Sequence, residues 1–247
     1  MKIKAIFLLL FFLISGKMRA QENYGGGVDQ ERVNFGFHFK YISSEYKIQK
    51  ISNWRGPFND PNTLNPLIGS PLVSLSSPPT QGFGLGFVSD YKIGTNMNLR
   101  FTPGMIFSDA IVDYEFEDSN LFIQQVVQGT MIDFPLGIKI KSNRRKNFRA
   151  YVIGGAKYTL DIISKKKRDD SNLIAEAKFL KNTKNNLWYE AGIGFDLYFE
   201  FFKMSPEIKF SQTRRSVLLD FDRLENPYVA PIDKLFIRNI QFSLFFE

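Results

Sequence analysis

The sequence contains no cysteine, which excludes a disulfide framework and any thiolate metal site. Its one histidine is His38, so a metal centre built from several imidazoles is excluded too. Apolar runs are short. None approaches the roughly 18 consecutive residues of a membrane-spanning helix, and the longest is Ala5 to Gly16. A mature chain integral to a membrane would therefore have to cross it as a closed β-barrel, the other structure that satisfies its own backbone polar groups in lipid. Excess charge is also scarce. Four of the cations behind the net +7 (Lys2, Lys4, Lys17 and Arg19) fall in the export segment described next, leaving +3. That is too little to suggest nucleic acid as a partner.

The N-terminus reads as a secretory signal. Lys2 and Lys4 precede the apolar run Ala5 to Gly16, and Met18-Arg19-Ala20 precedes Gln21. The run has the length of a signal h-region. Residues 1–20 are expected to be removed, residues 21–31, with Gly25-Gly26-Gly27, to form a flexible periplasmic lead-in, and residues 32–247 to form the folded unit.

What the chain has in quantity is phenylalanine: 26 Phe and 10 Tyr, beside 23% charged residues and a mean hydropathy of −0.18. Strict alternation reconciles these values, because one oily face and one polar face average to neutral. Phe35, Phe37, Phe39 and Tyr41 alternate with Asn34, Gly36, His38 and Lys40. Phe83, Leu85 and Phe87 interleave with Gly82, Gly84 and Gly86, where glycines at every second strand position point to close packing in a lumen rather than to a nucleotide loop. The pattern returns around Leu99–Met105, Ile132–Ile140, Phe148–Leu160, Leu187–Phe199, Met204–Phe210 and Phe236–Phe246. Short connections (Lys92–Thr95, Ser142–Lys146, Glu200–Lys203) alternate with long ones (45–81, 109–122, 161–186, 214–233). The expected fold is all-β, an antiparallel transmembrane barrel of about eight strands with short periplasmic turns and long extracellular loops. Its expected place is the outer membrane of a Gram-negative-type bacterium. Pro103, Pro135 and Pro206 fall inside proposed strands, where a missing N–H predicts bulges or the wet end of a strand.

The polar face defines the candidate site. His38, Arg100, Asp133, Lys139, Arg149, Lys157, Glu190, Asp196, Glu207 and Lys209 all point inward on this reading. Mixed signs in so narrow a barrel predict a salt-bridged filling that serves structure, not an ion path. A turn centred between Phe201 and Phe202 would set Asp196 opposite Glu207, with Arg149 as the bridging cation. His38 has no serine paired with it by spacing, so neither a catalytic site nor a cofactor is expected. Lys165-Lys166-Lys167-Arg168, in a long loop, could meet lipopolysaccharide phosphates, and Asn143 to Asn147 forms a basic periplasmic turn.

Several blocks together resemble the PorT family. They are Leu99-Arg100-Phe101-Thr102-Pro103-Gly104, Phe134-Pro135-Leu136, and Asn147-Phe148-Arg149-Ala150-Tyr151-Val152-Ile153-Gly154-Gly155. Tyr189 to Gly192, Phe202 to Phe210 with Pro206-Glu207, and Phe242 to Glu247 continue the likeness over nearly the whole mature chain. The resemblance implies a non-enzymatic outer-membrane barrel of the type IX secretion and gliding machinery, with other secretion proteins as partners beside lipid and lipopolysaccharide. It implies no catalytic residues. The competing expectations are a stand-alone structural or adhesive barrel of the OmpA/OmpX kind and, further off, a lipid A-modifying barrel enzyme.

Overall fold

Period-two alternation becomes twelve β-strands in the computed structural model, which describes residues 27, 29, 31–58, 70–117, 121–163, 178–219 and 223–247. The expected signal peptide, most of the lead-in and the Lys165–Arg168 run lie outside these residues. Nine strands form one antiparallel sheet: β1 (Val33–Lys50), β3 (Thr80–Lys92), β4 (Met97–Phe101), β5 (Gly104–Ser108), β8 (Thr130–Lys141), β9 (Phe148–Asp161), β10 (Asn185–Tyr198), β11 (Lys203–Thr213) and β12 (Ile232–Phe246). The first closes on the last through β12, since β1 pairs with both β12 and β3. β4 and β5 occupy a single place in the ring, between β3 and β8, so the barrel has eight positions.

The β4/β5 interruption has a local cause. Thr102 donates its N–H to the Pro135 carbonyl, and Phe87 donates to that of Pro103. In an antiparallel ladder each such pair should exchange two bonds, and proline can return neither. Two adjacent positions thus lose a rung each. Yet β3 keeps one register across the gap, from Ser89↔Phe101 to Gly86↔Gly104, and so does β8. The expected bulges are absent at Pro103 and Pro135; the wall continues in register with fewer bonds. Pro206 lies near the periplasmic end of β11, where the ladder to β10 skips from Gly194↔Glu207 to Leu197↔Met204.

Two zones stack along the barrel axis. In the lower one, next to the short turns, the outer face is an apolar belt: on β1 it runs through Val33, Phe35, Phe37, Phe39 and Tyr41, all exposed. Eight residue steps at a steep tilt cover about 20 Å of membrane normal, close to the apolar band of such barrels. Directly paired rings stack across strands, as Phe37 on Phe246 at 5.2 Å and Phe83 on Phe107 at 5.1 Å.

Above the belt the two faces exchange character. Further along β1, Ile42 and Tyr46 turn inward and are buried, while Glu45 and Lys47 face water. The connections expected to be plain loops carry a second sheet here, β2 (Leu72–Ser76), β6 (Ala110–Phe116) and β7 (Phe122–Val127), in the order β2-β6-β7. This cap packs with Tyr46, Trp188, Val217, Tyr228, Leu235 and Ile237 around Val112 and Tyr114. Ser77 ties it to the barrel: it accepts from the Tyr46 N–H at 2.9 Å and donates to the Ile111 carbonyl at 2.6 Å.

Candidate functional site

The strands of the lower zone point their second face into a narrow lumen, and that face is charged. Lys40, Arg100, Lys139, Lys157, Lys203 and Lys209 meet Asp90, Asp133, Glu190, Asp196, Glu207 and Glu247, six buried cations against six carboxylates. Arg100, 1% exposed, is the hub. Its guanidinium reaches Asp90 at 2.7 Å, Glu247 at 2.8 Å and Glu207 at 3.4 Å. Lys139 holds Asp196 at 2.7 Å, and Lys203 holds Glu247 at 2.9 Å. Lys209 bridges Glu190 and Glu207, both at 3.1 Å. Neutral groups complete the mesh: the Tyr151 hydroxyl donates to Glu207 at 3.0 Å, and Ser205 donates to Asp196 at 2.7 Å. Nearer the cap, Lys157 pairs with Asp133 at 3.3 Å and sets its ammonium 4.3 Å from the Trp188 ring centre. Charges so deeply desolvated are tolerable only when paired, because each unpaired ion costs several kcal/mol.

All ten residues of the sequence-derived set thus face the interior, but they do not meet as expected. The β10–β11 register centres the turn between Glu200 and Phe201, which puts Glu207 opposite Gly194 and Asp196 level with Ser205. The expected Asp196–Glu207 juxtaposition is therefore wrong by two residues, and each carboxylate has its own cation. Arg149 is not their bridge. It sits at the periplasmic mouth, where it and Arg144 each hold Asp29 at 3.2 Å. Tyr198 donates to the same carboxylate at 3.2 Å, and Lys92 donates to the Asp29 carbonyl at 2.9 Å. Asp29, from the expected lead-in, is thereby strapped across the mouth.

Three network members escaped the sequence reading. One of them, Lys203, falls in the expected short turn Glu200–Lys203, although it opens β11 facing inward. Asp90 continues the inward series Gly82, Gly84, Gly86, Val88, and that series was the signal. Glu247 extends the inward series of β12 one pleat beyond Phe245.

His38 is 1% exposed and lies 5.2 Å from the Phe245 ring centre. Neither ring nitrogen has a partner at hydrogen-bond geometry. The Thr102 backbone, opposite Pro135, is the polar group beside it. Gly86 must stay bare there, because a Cβ would collide with Pro103 and Gly104 and stand 2.8 Å from His38 Nε2.

At the outer mouth, among the described residues, buried Lys178 holds Glu225 at 3.2 Å, and the cap core beside it is apolar. Trp188 donates to Thr159 at 2.9 Å at the cap end of the lumen. Above it, Tyr114 donates to the Tyr228 carbonyl at 2.8 Å inside the apolar cap, and burial there holds its phenol well above the usual tyrosine range.

A closed eight-position antiparallel ring, oily outside and charged within, defines an integral outer-membrane β-barrel protein. The sequence pattern of the family described as outer membrane protein beta-barrel domain matches residues 29–213, and the chain belongs to that family. No curated protein matches it in sequence. Among solved structures it is similar to the outer membrane protein OprG of Pseudomonas aeruginosa, at 14% identity and a TM-score of 0.41, covering 87% of this chain and 92% of that one. It is also similar to Ail, the attachment invasion locus protein of Yersinia pestis, at 11% identity and a TM-score of 0.33, covering 87% and 98%. The N-terminal barrel domain of Pseudomonas aeruginosa OprF matches at 8% identity and a TM-score of 0.30, covering 87% and 98%.

Proposed function

We propose that this chain is a non-enzymatic, non-conducting barrel that works as a surface structure, with the folded outer cap as its contact face. The observation that carries the reading is the apolar plug above a lumen whose charges are mostly held in ion pairs: a conduit would need mobile charge and an opening, and the cap core fills that place. The luminal charges are then a folding device. On this reading residues 1–20 are the export signal, 21–31 the lead-in and 32–247 the barrel. The test is reconstitution in planar bilayers, with replacement of residues 110–127 by a short turn. The intact protein should give no steady conductance, and the capless form should lose surface attachment when displayed on cells. Steady unit conductance from the intact protein would overturn the proposal.

A second reading, a PorT-like secretion component, is favoured by one specific observation. Residues that carry the resemblance converge: Arg100, Tyr151 and Glu207 lie within 3.5 Å of one another, with Pro103, Gly104, Pro135 and Pro206 on the strands around them. Asn147 and Arg149 stand at the periplasmic mouth, where Asn147 accepts from the Tyr198 N–H at 3.0 Å. Gly155 faces Gly137 so closely that a Cβ would strike the neighbouring strand, while Gly154 faces outward. In this reading the working end is periplasmic and the partners are other secretion proteins. A pull-down from mild detergent separates the two. Partners captured by the wild type and lost on charge reversal of Arg144, Arg145 and Lys146 support secretion, and none captured supports the stand-alone barrel.

A further inference from the structure

At the outer edge of the belt, β9, β10 and the residue just past β11 place Tyr158, Leu187 and Arg214 in one transverse row on the lipid-facing side. Leu187 pairs directly with Tyr158, and Arg214 donates its backbone N–H to the Leu187 carbonyl at 2.7 Å. Tyr158 and Leu187 are 41% and 44% exposed, the top of the apolar surface that continues below through Tyr189 and Phe210. Above the row the wall turns polar at Asn185 and Arg215. A cavity of about 460 Å³ opens here, lined by Tyr158, Thr183, Asn185, Leu187, Arg214 and Arg215.

The two arginines are exposed, and neither has a carboxylate among the described residues within 4 Å. Their neighbour one pleat back along the ladder, on β12, behaves differently. Arg238 is held by Glu45 at 3.6 Å and donates to Gln212 at 3.2 Å. A pair of unneutralised guanidiniums where hydrocarbon gives way to headgroup is placed to take an anion from outside.

We propose that this pocket binds a phosphorylated glucosamine of lipid A in the outer leaflet. Arg214 and Arg215 take the phosphate through forked, charge-assisted hydrogen bonds. Asn185 and Thr183 offer amide and hydroxyl groups to the sugar, and Leu187 with Tyr158 receives the first acyl methylenes. A cavity of this size suits a sugar phosphate and exceeds what a bare phosphate needs. The inference needs the outer-membrane location alone. It is independent of whether the barrel's partners lie outside or in the periplasm.

The test uses the full-length mature barrel in detergent, with its fold checked by the gel-mobility change on boiling in SDS. Rough-type lipopolysaccharide is titrated against wild type, Arg214→Ala/Arg215→Ala and the control Lys234→Ala, and bound lipid is counted by native mass spectrometry. The expected result is at least about tenfold weaker retention by the double variant, equivalent to removing one good charge-assisted hydrogen bond, with the control unchanged. Dephosphorylated lipid A should bind the wild type as weakly as lipopolysaccharide binds the double variant. Equal retention by wild type and double variant overturns the proposal. So does phosphatidylglycerol matching lipopolysaccharide, which would make the pocket a general anion site, or millimolar inorganic phosphate displacing the lipid completely. If the double variant fails to fold, Arg214→Lys/Arg215→Lys replaces it. Keeping the charge but losing the fork, it should fall between the two, and wild-type retention by it would equally overturn the assignment.

Discussion

The lower and upper halves of this barrel are built from the same strands with opposite rules. Below, on β1, Phe37 and Phe39 face out and His38 and Lys40 face in; above, Glu45 and Lys47 face out and Ile42 and Tyr46 face in. The lower half is a membrane protein and the upper half is organised like the core of a water-soluble sandwich, with only a few residues of transition between them. Alternation therefore carries fold class, but which phase is oily carries the environment. The two halves are also held together differently. The cap relies on non-directional burial, whereas the lumen relies on a mesh in which each ion depends on its neighbours.

Substitutions that strike one rule and spare the other sharpen this contrast. The largest effect is expected at the hub. Arg100→Met takes one cation from Asp90, Glu207 and Glu247 at once, leaving Lys139, Lys209 and Lys203 to hold them, and should cost about 3–5 kcal/mol in urea unfolding from detergent. A second change, Glu207→Gln, should restore part of it, and strict additivity would show that the two groups are uncoupled. Next comes Ile193→Arg on the belt, about 2–4 kcal/mol near the midplane, whereas Lys47→Leu on the outer face of the upper zone should stay within about 0.5 kcal/mol. If the two outer faces respond alike, the exchange of character is not real. Smaller again is Tyr114→Phe, which removes one buried hydrogen bond for about 1–1.5 kcal/mol. Its signature should be faster proteolysis of the cap with unchanged SDS resistance of the barrel, and loss of both together would mean that the halves unfold as one.

The ring, its eight positions and the inward set were legible because alternation is local and repeated. The cap was not. Leu72–Ser76 and Ala110–Phe116 are short, lie in stretches that read as loops, and pair with each other across a long separation in sequence. Register at the β10–β11 hairpin was also beyond reach. Glu200, Phe201 and Phe202 carry no Asn-Gly or Gly-x signal to fix the centre of the turn, and a slip of two residues preserves every inside–outside assignment while changing every partner. Gly194 shows the consequence. By its place on the strand alone, serine there should be mild, yet a Cβ at Gly194 would meet the Tyr151 ring at 2.5 Å from its hydroxyl oxygen and disturb the bond to Glu207.

The exchange of faces also acts as a waterline. Tyr41 on β1, Ile240 on β12 and Leu187 on β10 lie just below it, while Glu45, Arg238 and Arg215 lie just above. Sinking the barrel by one pleat would pull a ring of charges into hydrocarbon, and raising it would bare a ring of aromatic residues. Both errors grow with displacement, and tilting commits one on each side. Depth and tilt are thus set by the same few residues that mark the change of rule, and the cap is carried at a fixed height above the lipid.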